Sequence, residues 1–200
     1  MKRLFHLTLA LMLMVCATAT AQTARSVLDK TAATLGNKNG VSARFSISGS
    51  QYGNSSGSIY VKGRKFHATT SMASVWFDGT TQWTYMKRNN EVNVSHPTES
   101  QLQTINPMNF ISMYKSGYSY TMTTKNGKYV VHLKATKQRQ VKEMYITIDK
   151  KTYVPSQIRM LQGKGWSTIT ISNFKTAKLS DSTFRFNSRD YPSAEVIDLR

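Results

Sequence analysis

The chain has 200 residues, of which 27 are Lys or Arg and 10 are Asp or Glu, giving a formal net charge of +17. That length suits one domain with a core of its own, and a single cysteine, Cys16, excludes a disulfide framework. The basic balance raises nucleic acid as a ligand. However, no run of Lys and Arg exceeds two residues, which describes a solvated basic surface with a transient attraction to anionic membrane headgroups.

Lys2 and Arg3 precede an apolar run over residues 4–15 that is too short to span a bilayer. Ala19 and Ala21 then form a small-x-small site. This is the layout of a secretory signal cut after Ala21, which makes 1–21 a signal peptide and 22–200 a single periplasmic domain. Export argues against nucleic acid. Leu13, three residues before Cys16, supports an alternative in which the chain is lipid-anchored through Cys16.

Val27, Leu28, Ala32 and Leu35 recur at helical spacing and predict a helix over 24–35, stopped at Gly36. From Val41 the period changes to two: Val41, Ala43, Phe45 and Ile47 alternate with Ser42, Arg44, Ser46 and Ser48, the pattern of a half-buried strand. Strands follow at 58–62, 65–72, 74–77, 82–86 and 91–95, with Asp78-Gly79 and Asn89-Asn90 as hairpin turns. Pro97 and Thr98 open a short helical stretch with Leu102 and Ile105, and Asn106-Pro107 starts a second through Met108, Phe110, Ile111, Met113 and Tyr114. The meander resumes at 118–124, 128–135, 141–149, 153–162 and 166–174, and closes with 184–186 and 195–199. The expected fold is α+β but mainly β: an unclosed antiparallel β-barrel of about eleven strands, with an N-terminal helix and a two-helix lid over an apolar cavity.

Catalytic and metal signatures are missing from the sequence. His67, His96 and His132 stand at no metal-ligand spacing, which predicts no metal or other cofactor. No nucleophile elbow, P-loop or dinucleotide fingerprint occurs. The ten carboxylates are scattered and mostly fall in turns, so the reading is a binding protein rather than an enzyme. An envelope hydrolase would need two of them to converge in a cleft. What the chain has in excess is soft apolar volume, with 10 Met, 10 Tyr, 8 Phe and 3 Trp, side chains suited to adaptable apolar sites. Phe45, Ile47, Phe66, Trp76, Trp83, Tyr85, Met108, Phe110, Ile111 and Tyr114 are expected at the cavity or lid.

Residues 57–62 with Phe66, 77–85 with Asp78, Gly79, Trp83 and Tyr85, and 91–94 resemble the LolA-like family of periplasmic carriers of outer-membrane lipoproteins. The likeness continues through Asn106-Pro107, 146–149, 155–158, 168–174, 184–186 and 191–198. It implies a monomeric shuttle that takes lipoprotein acyl chains or other lipid into its cavity. As partners it implies an inner-membrane release complex and an outer-membrane acceptor. The family's Arg-Pro latch pair is replaced here by Gly63-Arg64-Lys65, and Arg64 takes the latch role displaced by one position. Two alternatives stay open: an envelope sensor or regulatory lipid-binding protein on the same fold, and an anchored acceptor if Cys16 is modified.

Overall fold

The computed structural model describes residues 22–49, 53–98, 101–102 and 113–200. The signal segment with Ala21 and Cys16, and the lid residues Met108, Phe110 and Ile111, lie outside the described residues. Helix α1 spans Ala24–Leu35 and buries Val27, Leu28, Thr31 and Leu35. Thr23 caps it by accepting from the Ser26 N–H at 3.2 Å, and the Gly36 N–H closes it on the Ala32 carbonyl at 2.8 Å. Among the described residues no helix is long and apolar enough to cross a membrane.

Twelve strands follow: β1 Val41–Gly49, β2 Ser55–Lys62, β3 Lys65–Thr70, β4 Ala73–Phe77, β5 Gln82–Met86, β6 Glu91–Ser95, β7 Tyr118–Lys125, β8 Lys128–Ala135, β9 Val141–Asp149, β10 Pro155–Gln162, β11 Gly165–Thr176 and β12 Glu195–Asp198. They form one open sheet in the order β12-β6-β5-β4-β3-β2-β1-β11-β10-β9-β8-β7. Within β1–β6 and within β7–β11 each neighbouring pair in sequence is antiparallel, and β1 zips onto β11 to join the two halves.

Four expectations need correction. Among the described residues the sheet has twelve strands rather than about eleven, and it is not wholly antiparallel, because β12 returns to lie parallel to β6. Residues 184–186 add no strand: Phe184 ends a short 3-10 turn, Asp181–Phe184. The tenth strand begins at Pro155 instead of Tyr153, since Tyr153 takes a left-handed φ of 57° to close the preceding turn.

Turn chemistry sets the hairpins. Asn126 and Gly127 both adopt positive φ, 49° and 70°, as a tight I′-type turn requires. Asp78 accepts from the Thr80 and Thr81 N–H groups at 3.0 and 2.9 Å, holding the turn between β4 and β5.

After β11 the chain recrosses the outer face of β3–β6. Asp181 meets Lys62 and Lys65 at 3.7 and 3.0 Å, Arg185 meets Asp78 at 3.2 Å, and the Asn90 amide donates to the Ser193 carbonyl at 2.7 Å. Burial pushes the Asp78 carboxyl up, but the two backbone N–H groups and Arg185 outweigh it and leave it below its ordinary value. A carboxylate whose pKa is depressed by folding stabilises the fold above its unfolded pKa and loses that contribution as pH falls through the folded value. Acidification below the ordinary carboxylate range should therefore loosen this clasp. In denaturant midpoints measured from pH 6 to pH 3, Asp78→Asn should lose less stability than the parent chain; equal losses would show that Asp78 is not part of the acid response.

Candidate functional site

Strand alternation gives the sheet two unlike faces. On the face covered by α1, cross-strand pairs run Phe77–Phe66–Val61–Val41 across β4, β3, β2 and β1. A neighbouring row runs Phe45–Ile171 and Ile47–Ile169–Ile158–Ile146–Val131–Met122 across β1, β11, β10, β9, β8 and β7. One apolar surface thus crosses the sheet from β4 to β7.

Its two ends are sealed. At one end Val27 and Leu28 of α1, with Met113 and Tyr114, pack on Val131, Leu133, Met144, Ile146, Ile158 and Met160. At the other end Leu102 packs on Val41, Val61, Phe66 and Phe77. Between them Phe45, Ile47, Ile59, Ile169 and Ile171 are only half-buried. Large apolar side chains left partly open in the middle of a sheet face make this row the candidate ligand surface.

Both described flanks of the central insert dock on this face. Thr98 and Gln101 exchange the two bonds of a capping box, Thr98 N–H to Gln101 Oε1 at 2.8 Å and Gln101 N–H to Thr98 Oγ1 at 3.3 Å. The Leu102 N–H also donates to the Thr98 carbonyl at 2.9 Å, and Leu102 joins its cluster. Of the second expected helix, the described part is the 3-10 turn Met113–Lys115. The Tyr114 hydroxyl donates to Asp29 Oδ1 of α1 at 2.5 Å, and burial together with that bond pushes its pKa up to about 12. This bond ties the downstream end of the insert to the helix.

The expected site residues separate by strand parity. Phe45, Ile47 and Phe66 stand on the apolar face and Tyr114 joins its α1 end. Trp76, Trp83 and Tyr85 do not share that surface: Trp76 precedes Phe77 in β4, pairs with Trp83 and faces the other way. There Trp76 stacks on His67 at 4.9 Å and meets Phe186 and Tyr191 of the C-terminal segment at 5.6 and 5.7 Å, while Tyr85 meets Tyr191 at 4.6 Å. Burial lowers the His67 pKa, which favours the neutral ring in this aromatic packing. Arg64 sits exposed in the turn between β2 and β3.

Sequence reasoning missed Ile59, Ile169 and Ile171. Their signal was present: Ile169 and Ile171 alternate with Thr and Ser, and Ile59 stands between Ser58 and Tyr60, all in phase with Phe45 and Ile47 once β1 is registered on β2 and β11. The structure also joins residues that looked isolated. His132 Nε2 and Glu143 Oε1 lie 2.7 Å apart on the outer face, and the Tyr145 hydroxyl donates to the same carboxylate at 3.0 Å, holding the Glu143 pKa below its ordinary value. Among the described residues, no three His, Cys, Asp or Glu side chains are grouped to hold a metal ion.

Residues 14–164 match the family model described as outer membrane lipoprotein carrier protein LolA. Among solved structures, an uncharacterized conserved protein from Thermus thermophilus superposes with a TM-score of 0.60 at 14% identity, over 88% of this chain and 98% of its own. A LolA superfamily protein from Nitrosomonas europaea follows, with a TM-score of 0.45 at 12% identity over 83% of this chain and 99% of its own. A putative outer membrane lipoprotein-sorting protein domain from Vibrio parahaemolyticus gives 0.45 at 9% identity over 82% and 96%. A search of the curated proteins gives no significant match.

Proposed function

This chain belongs to the LolA family of outer membrane lipoprotein carrier proteins, and from that premise we propose that it is a non-enzymatic periplasmic carrier that takes the acyl chains of lipoproteins onto the apolar face of its sheet. The observation that carries this reading is the half-open row Phe45, Ile47, Ile59, Ile169 and Ile171, held between two sealed clusters. Moving hydrocarbon from water onto such a surface gains about 0.8 kcal/mol per buried CH₂, so one long chain supplies the whole driving force for uptake. Release then depends on a tighter acceptor or on displacement of the insert. The Tyr114–Asp29 bond is one tie such displacement would break, and Arg64, with residues 108–111, is proposed to complete the closure. An inner-membrane release complex and an outer-membrane acceptor are the proposed partners of a monomeric shuttle.

The test is uptake of a fluorescent fatty acid and of an acylated peptide by the chain and by Phe45→Glu and Ile171→Glu. Each variant places a carboxylate against hydrocarbon, a burial costing several kcal/mol unless the group protonates, so affinity should fall at least tenfold while the melting transition stays cooperative. Normal uptake by both variants would refute the assignment of this face. Native mass spectrometry of protein purified from the envelope should find retained acyl cargo.

A further inference from the structure

The opposite face carries a hollow of about 620 Å³, lined by Ser42, Arg44, Ser58 and Tyr60 of β1 and β2, Thr69 of β3, and Lys175 of β11, among others. We propose that it binds a phosphate ester with a polyhydroxylated body, of the inositol phosphate or sugar phosphate class.

Its shape begins with a bulge. Ser42 pairs with Lys175 and Arg44 with Ser172, so Asn173 and Phe174 together oppose Ala43. Asn173 absorbs the extra residue at a φ of 51°, a left-handed conformation that Asn tolerates. The bulge returns Phe174 to the apolar face, where it packs beside Phe66 and Phe77. It also brings Lys175 onto the same face as Arg44, on the adjacent strand.

The charges of this hollow are unbalanced. No Asp or Glu lines it, and among the described residues neither Arg44 nor Lys175 has an ion pair or side-chain hydrogen bond. Lys62, Lys65 and Arg185, by contrast, are matched with Asp181 and Asp78. The side chains of Ser42, Ser56, Ser58 and Asn173 likewise make no hydrogen bond to a described residue. A guanidinium fork beside an ammonium suits a phosphate. The surrounding hydroxyls and amide suit the hydroxyl groups of a polyol, and the volume lies in the range of small-molecule sites, well beyond one phosphate. Because Arg44 alternates with Ala43 and Phe45, this site and the acyl surface lie on opposite sides of one strand and should fill independently.

The experiment titrates the full chain with myo-inositol 1-phosphate, and with phosphatidylcholine vesicles with and without phosphatidylinositol. Arg44→Gln and Lys175→Gln should each weaken binding about tenfold, the effect of losing one charge-assisted bond, whereas Lys137→Gln, which removes an exposed charge elsewhere, should change it less than twofold. Saturable binding of the free phosphate with this variant pattern supports a soluble ligand. The same pattern with phosphatidylinositol vesicles only supports a lipid headgroup. Absence of saturable binding to either, or equal losses in Lys137→Gln and Arg44→Gln, overturns the proposal. Fatty-acid uptake measured on the same samples should be unchanged in Arg44→Gln. Its failure in the parent chain would sink the acyl reading and leave this site standing.

Discussion

Phe184→Ala should lower stability by about 3–5 kcal/mol, the cost of emptying a large, fully enclosed aromatic site. Phe184 is 0% exposed although it ends a 3-10 turn of only four residues, which cannot persist without tertiary support. The turn packs against β3. The ion pairs of Asp181 with Lys62 and Lys65 join largely exposed side chains, and such pairs contribute about 0–1 kcal/mol each, while Arg185 meets the mostly buried Asp78 through an exposed guanidinium. Phe184 is therefore the principal anchor of the recrossing segment, with Phe186 and Tyr191 adding contacts on Trp76. In denaturant titrations the midpoint should fall sharply. Hydrogen exchange should quicken first in β12, which reaches the sheet only through this segment. Acyl uptake should persist, since the apolar surface is on the other side. A loss below about 1 kcal/mol would mean that Phe184 occupies a site able to collapse around a methyl group.

Gly57→Ala should cost about 1–3 kcal/mol or more, as overpacking against a rigid neighbour does, and should impair acyl uptake as well. A Cβ at position 57 would overlap the backbone carbonyl oxygen of Thr69 on β3, a group that cannot swing aside, and would stand 3.0 Å from Phe45 Cζ. Gly57 pairs with Phe45 across β1 and β2, so the glycine leaves room for the ring that occupies the middle of the apolar row. Both consequences come from one atom. Melting temperature and fatty-acid affinity measured together would test them, and an Ala variant with native values of both would show that β2 and β3 can separate without cost.

The sheet was largely legible because alternation is a local property. Val41, Ala43, Phe45 and Ile47 against Ser42, Arg44, Ser46 and Ser48 announce a strand with one apolar face, and Asn126-Gly127 announces its own turn. The site was only half legible. Trp76 and Phe77 are adjacent and both apolar, and nothing local says which one faces the apolar surface; the pairing of Phe77 with Phe66 decides it. Trp76 is buried because residues more than a hundred positions away, Phe186 and Tyr191, cover it.

The sequence by itself determined the strand periods, the helix α1, the turns and the lack of a catalytic signature, since each is written within a few consecutive residues. Only the tertiary structure decided that β1 joins β11, that β12 returns parallel to β6, and that a bulge at Asn173 sets Lys175 beside Arg44. Those outcomes depend on register between distant strands, where a slip of one residue exchanges the two faces of the sheet.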